Sequence, residues 1–361
     1  LIMALILMES FDLYGYATFT WLLDSRWTRA SVTSLIQPSS GRRSGGCLQL
    51  EEYNATTLIA YWQHLNLQIA QSTVIMGFAF YAPTGAYTPT AGFPVFLFQK
   101  GTTIATDVQF VIHRTSANAL EIRATAGGTL LATSADNVVT PTSWQYWEIK
   151  TVCHASSGSV IINIDGVEVI NVSGVNTQNA GSGAINLIHF RNYSNAGGNC
   201  LIDDLYLCDE TGDAPFNDFL GDVEVHGNKF TSDETDGDFD TNDTSHYGAI
   251  DDLGSGYEVK YIEGDAVGEK DSFGIVPASD NPGVYAVEVV ANGHNSGGGT
   301  AKFKPYVNID GTRYYGDEVT SSAGSSDKNS YIWLLNPKTG GSWSKLVLAA
   351  AEFGYEVTEL T

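Results

Sequence analysis

Hydrophobic and polar positions alternate with a period of two through most of the chain. In WQYWEIKTV (residues 144–152), Trp147, Ile149 and Thr151 share one parity, and in the following run Val160, Ile162 and Ile164 share another. Alternation of this kind turns one side of a run toward a core and the other toward solvent. Asp165-Gly166 separates IINI from VEVINV, and Asp-Gly supplies the positive φ values that a type I′ hairpin turn demands. The pattern predicts three consecutive antiparallel strands. CLQLEE, TTLIAYW, STVIMGFAFYA, FPVFLFQ, DVQFVIHR, ALEIRAT, TLLATS, AINLIHFRN and CLIDDLYLCD read as further strands. Short strands spaced by about 8–12 residues are the mark of a sandwich or jelly roll. LIMALILMES reads as a first strand. Its apolar run is too short to span a bilayer and lacks the basic flank of a signal peptide, so neither is expected.

The order Trp, aromatic-Trp-Glu-Ile, Ser-Gly-Ser, Ile-Asp-Gly-Val resembles the middle strands of laminin G-like, concanavalin A-like jelly rolls. LIDDLYLCDETG (201–212) resembles the closing strand of that fold. Together they resemble a group of double-stranded-DNA phage virion proteins, in which a lectin-like jelly roll precedes an acidic joint and a second β domain. Ser245-His246-Tyr247 with Asp251-Asp252 matches a loop of that family. Asn336-Pro337, Thr339-Gly340 and Trp343 match its closing segment, with Asn in place of the usual Asp. The resemblance implies a structural protein of a tail, baseplate, fibre or head decoration, assembled in the host cytoplasm. It further implies a homo-oligomer, often a trimer, that meets other virion proteins and host-surface glycan.

The second half carries its own strand series: YEVKYIE, VYAVEVVANG, AKFKPYVNID, NSYIWLLN and a final YEVTEL. Asp310-Gly311 is another hairpin signal, and SWSKLVLAAAEF reads as one short helix with Ser342 as its cap and Gly354 as its end. The expected fold is therefore all-β: a concanavalin A-like jelly-roll sandwich over 1–212, an acidic joint over 213–252, and a second, smaller β-sandwich domain over 253–361.

Composition agrees with this reading. Only 16% of residues are charged, while 38 are glycine and 18 tyrosine, which suits strands and turns more than long helices. The net charge of −23 is uneven. Residues 1–209 hold 9 Lys/Arg and 14 Asp/Glu, and residues 210–361 hold 9 and 27. Such acidity repels a phosphate backbone, so no nucleic-acid partner is expected. Cys47, Cys153, Cys200 and Cys208 show no metal spacing and are expected to be reduced, buried thiols.

Candidate chemistry is sparse. Concanavalin A-like glycanases need a carboxylate pair facing one cleft, and no Glu-x-Asp-x-Glu spacing occurs. Glu148 stands alone among aromatics. Asp203 and Asp204, being adjacent, are expected on opposite sheet faces. The chain is accordingly expected not to be an enzyme, with a stand-alone lectin or a glycan depolymerase as the alternatives. Asp236, Asp238 and Asp240, with Asn242, form a candidate calcium loop, although the sixth and twelfth positions of an EF-hand are occupied by Thr241 and Tyr247. The loop RNYSNAGGN offers Asn192, Tyr193 and Asn195 as a candidate glycan site, with tyrosine to stack on a sugar ring and asparagine to hydrogen-bond it. Arg42 and Arg43 read as a basic loop tip.

Overall fold

The computed structural model describes residues 5–13, 27–29, 35–37, 39–50, 61–84, 95–192, 198–250, 260–277, 283–324 and 326–361. The chain divides into two compact units, Leu1–His226 and Gly227–Thr361.

Unit 1 is a jelly roll of two antiparallel sheets. The first sheet runs Val167–Val175, Gly158–Ile164, Trp144–Val152, Thr73–Tyr81, Cys200–Cys208, Cys47–Leu50 and Leu35–Gln37, with Leu5–Glu9 also paired to Cys200–Cys208. The second runs Leu130–Thr133, Leu120–Arg123, Val108–Arg114, Phe96–Gln99, Ile185–Asn192, Tyr61–Gln71 and Trp27–Arg29. The three strands expected from the alternation between residues 144 and 175 pair as consecutive neighbours, with Trp147 opposite Ile164 and Ile149 opposite Ile162. Their turn has φ of 51° at Asp165 and 75° at Gly166.

The core is where the two inner faces meet. Trp147 is fully buried. Phe80 lies 5.2 Å and Phe96 5.8 Å from its ring, and Phe96 sits edge-on to Phe190 at 5.5 Å. Phe78 and Phe80 come from the first sheet and Phe96 and Phe190 from the second, so one aromatic cluster bridges both layers. Edge-to-face pairs of this kind add to the hydrophobic gain of burial.

The strand expected at TTLIAYW falls only in part on the described residues. The described strand is Tyr61–Gln71, continuing through HLNLQIAQ, and residues 56–60 lie outside the described residues. All four cysteines are buried and free. Burial pushes the Cys47 and Cys153 thiols up to about 12, with the Asp203 charge adding to the shift at Cys47, so both stay protonated at neutral pH.

Unit 2 is the smaller β unit. Its main sheet runs Phe230–Gly237, Lys270–Ile275, Glu352–Leu360, Thr300–Ile309 and Thr312–Tyr315, with Val319–Ser322 also paired to Thr300–Ile309. A ribbon of Val287–His294 and Ser326–Trp333 supplies Val289 and Trp333 to a core shared with Val307, Trp343 and Phe353. The helix is shorter than expected: it covers Lys345–Ala350, and Ser344 rather than Ser342 caps it, accepting from the Val347 N–H. Gly354 does not end the helix but lies in the final strand. A Cβ there would stand 1.9 Å from the Asp271 carbonyl oxygen, so close strand contact requires glycine.

The acidic joint is not a separate element. Residues 213–226 belong to unit 1, and Phe230–Gly237 is a strand of unit 2. No described helix is long and apolar enough to cross a membrane.

Trp147→Ala should lower the stability of unit 1 by about 3–5 kcal/mol, because truncating a buried aromatic leaves a cavity between two sheets. Urea unfolding followed by circular dichroism measures it.

Candidate functional site

Two outer faces of unit 1 gather polar groups, one on each sheet. On the second sheet, Phe96, Phe98, Phe110, Ile112, Leu120, Ile122 and Phe190 point into the core, so the alternate residues point away from it. These are Leu97, Gln99, Val111, His113, Glu121, Arg123, His189 and Arg191. Most such outward residues on a solvated sheet would be exposed. Here Gln99 and His189 have no exposure, Leu97 and Val111 at most 1%, and Arg191 6%.

Register places these groups side by side. His189 pairs with Leu97 and Leu187 with Gln99. Gln99 is therefore a diagonal neighbour of His189, about 7 Å away by sheet geometry. The Arg191 Nε donates to His189 Nε2 at 3.1 Å. Neither polar atom of the Gln99 amide has a hydrogen-bond partner. Burial, then the positive charge of Arg123, pulls His113 down to about 4, so its imidazole is neutral at pH 7. Arg123 is itself paired with Glu121 at 2.8 Å.

The first sheet's outer face carries acids and tyrosines. Opposite parity to Trp147 and Ile149 turns Tyr146, Glu148 and Lys150 outward. Tyr206 lies across Gly77, where a Cβ would meet its ring at 2.1 Å. The Tyr206 hydroxyl donates to Glu148 Oε1 at 2.8 Å, and the Tyr146 hydroxyl donates to the Asp204 carbonyl at 3.2 Å.

The expectation that Asp203 and Asp204 face opposite ways is overturned. The register slips between Asp203 and Tyr206, and Asp204 has φ of 50°. This bulge re-aims the side chains, so both carboxylates approach Arg42. Asp203 Oδ2 accepts from the Arg42 backbone N–H at 2.7 Å, and Asp204 Oδ2 lies 3.6 Å from Arg42 Nη1. Burial, then the neighbouring Asp204 charge, pushes Asp203 up to about 8. Burial pushes Asp204 up to about 6 against the Val225 N–H and Arg42. Glu148 is raised by burial too, and the Tyr206 hydroxyl and Gly221 N–H oppose the shift. Glu148 is thus not alone, and several acids converge on one face.

Arg42 and Arg43 do not form an open basic tip. Arg42 pairs with Asp222 at 2.5 Å and Arg43 with Glu224 at 2.5 Å. The sequence holds no spacing that would have revealed these links, because the partners lie 180 residues apart for Arg42 and 181 for Arg43.

The candidate glycan residues fare differently. The Asn192 side chain is buried and donates to the carbonyls of Leu50 and Gly198, so it clamps its own loop. Tyr193 and Asn195 lie outside the described residues. The calcium loop does not assemble. The Asp236 carboxylate is held by Arg313 and by the Tyr306 hydroxyl at 2.8 Å, while Asp238 and Asp240 are exposed. Asp236 sits in an extended strand, which strings oxygens out instead of curling them round an ion. Among the described residues no group of three or more His, Cys, Asp or Glu is placed to hold a metal. In unit 2 the His246 Nδ1 meets the buried Asp271 carboxylate at 2.5 Å, a contact that the Ser-His-Tyr motif alone did not disclose.

No family model and no curated protein matches the chain. Solved structures do. Alginate lyase Aly36B is 12% identical, with 58% of this chain and 98% of that one covered and a TM-score of 0.40. A carbohydrate esterase from the Shiga toxin-encoding bacteriophage phi24B is 14% identical, with 55% and 98% covered and a TM-score of 0.34. Lectin I-B4 from Griffonia simplicifolia is 14% identical, with 56% and 98% covered and a TM-score of 0.36. The expectation that the chain is not an enzyme is corrected here. Alginate lyases stand among the structures it resembles, so the missing glycanase spacing gives no ground for excluding a reaction, and enzyme status stays open.

Tyr206→Phe removes the donor to Glu148 and the acceptor of the Leu220 N–H. It should destabilise unit 1 by about 1–3 kcal/mol, the cost of leaving buried polar groups unmet, as read by urea midpoints at pH 7.

Proposed function

We propose that this chain is a carbohydrate-contacting component of a phage particle, and that the outer face of its second sheet holds the sugar. The observation that carries this reading is Gln99. A buried amide with two unmet hydrogen-bonding atoms costs stability, and such groups persist where a ligand supplies the missing partners. Beside it lie the His189–Arg191 pair and the buried Leu97 and Val111. A few placed polar groups over an apolar surface are what sugar sites consist of.

The virion setting rests on the family resemblance and on unit 2. Most large hydrophobic side chains exposed among the described residues lie there, including Val276 at 71% and Leu346 at 81%. In this reading unit 2 meets other virion proteins and further copies of the chain.

The test is a glycan array probed with the full chain and with Gln99→Leu. The variant should bind at least about tenfold more weakly, yet be more stable by roughly 1–3 kcal/mol, since an unmet amide gives way to an apolar side chain of similar size. Mass analysis of array-positive polymers after incubation reports any cleavage. Absence of glycan binding by the wild-type chain would sink the reading.

A further inference from the structure

Resting on the glycan reading above, we propose that the sugar held at Gln99 is a neutral one. It meets the amide with two adjacent hydroxyl groups, one donating to Oε1 and the other accepting from Nε2. The Gln99 side chain has no exposure, and neither its oxygen nor its nitrogen has a hydrogen-bond partner. Nε2 therefore lacks an acceptor and Oε1 lacks a donor. A hydroxyl both donates and accepts, whereas an ionised carboxylate only accepts. Two neighbouring hydroxyls of a sugar ring supply both roles side by side. An anionic group supplies the acceptor alone, and would set oxygen against oxygen at Oε1.

A second amide nearby is treated differently by the fold. Gln99 pairs with Val108 and Phe98 with Phe110, so Gln109 is the extra residue of a bulge beside Gln99. Gln109 is just as deeply buried. Its Nε2 donates to the carbonyls of Ala180, Ser182 and Ala184 at 3.1, 2.7 and 2.8 Å. Its Oε1 accepts from the Ala180 N–H at 3.1 Å. The chain thus meets both ends of one amide and neither end of its neighbour. Burying an amide without partners is costly, and a ligand that both donates and accepts removes the whole of that cost.

The cations described on this face are already engaged. Arg123 is held by Glu121 at 2.8 Å and by the Gly128 carbonyl at 3.0 Å. Arg191 is buried and donates to His189 Nε2 at 3.1 Å. His113 is neutral at pH 7 for the reason given above. Each of the two guanidinium groups described here is thus taken up by the chain itself. At longer range the net charge of −23 works against a polyanion, less so as salt is added. Charge and hydrogen-bonding pattern point the same way, to an uncharged, hydroxyl-rich ligand.

A glycan array carrying neutral, uronate and sulfated glycans, probed with the full chain, makes the first test. Neutral glycans should bind at least about tenfold more tightly than the acidic ones. Deoxy analogues of the best neutral sugar, each lacking one hydroxyl, make the second, read by NMR titration. Two adjacent positions should each weaken wild-type binding by about tenfold when the hydroxyl is removed, the effect of leaving a buried partner unmet. In Gln99→Leu the same two removals should cost little more, because amide and hydroxyls act as one unit. Binding confined to acidic glycans overturns the neutral assignment and leaves the glycan reading standing. Absence of binding to any glycan removes that reading and this proposal with it. Deoxy effects that persist undiminished in Gln99→Leu overturn the proposal alone, since water would then be what meets the amide. If Gln99→Leu does not fold, the wild-type series decides, and the lack of any adjacent sensitive pair overturns the proposal.

Discussion

The contact between two aromatic layers holds unit 1 together. Trp147 arrives on the first sheet and Phe96 and Phe190 on the second, and their rings interlock edge to face. Sheets pressed together this way fix which residues of every strand point inward. Once Trp147, Ile149, Phe96 and Phe98 are committed to the core, Tyr146, Glu148, Leu97 and Gln99 have to lie on the outer faces. Both polar clusters described above follow from this one constraint of parity.

The outer faces differ in how their polar groups are satisfied. On the first sheet most carboxylates and hydroxyls find a partner in the arginines of the 41–46 loop, in the backbone of residues 213–226 or in their own strands. A network of that sort is rigid when complete and sensitive to any change in charge. On the second sheet Gln99 has no such partner. The first face is closed by its own chain, and the second keeps one buried amide without a partner.

Much of the fold was legible in the sequence, because alternation and Asp-Gly turns are local signals. The strands around Trp147 and the hairpins at Asp165-Gly166 and Asp310-Gly311 follow from residues close together along the chain. The sites were far less legible. Strict alternation places Asp203 and Asp204 on opposite faces, and only a bulge, which no local pattern announced, brings them together. Arg42 and Arg43 read as an exposed tip because their partners are remote in sequence. The string of aspartates from Asp236 looked like a loop for an ion, whereas Asp236 lies in a strand and pairs with Arg313, 77 residues on. Gln99 drew no notice, since a single amide in a strand is ordinary until its surroundings are seen to be dry.

The acidic run from Asp233 to Asp236 has a consequence for crowded settings. Phe230–Gly237 is the outermost strand of its sheet, and an open strand edge is a template on which a second chain can add its own backbone. Asp233, Glu234 and Asp236 line this border, and Asp238 follows it. Two such borders brought together would set like charges within hydrogen-bonding distance of each other, in a geometry that favours separation. The same acidity that looked like a spacer thus works against edge-to-edge addition of a second strand.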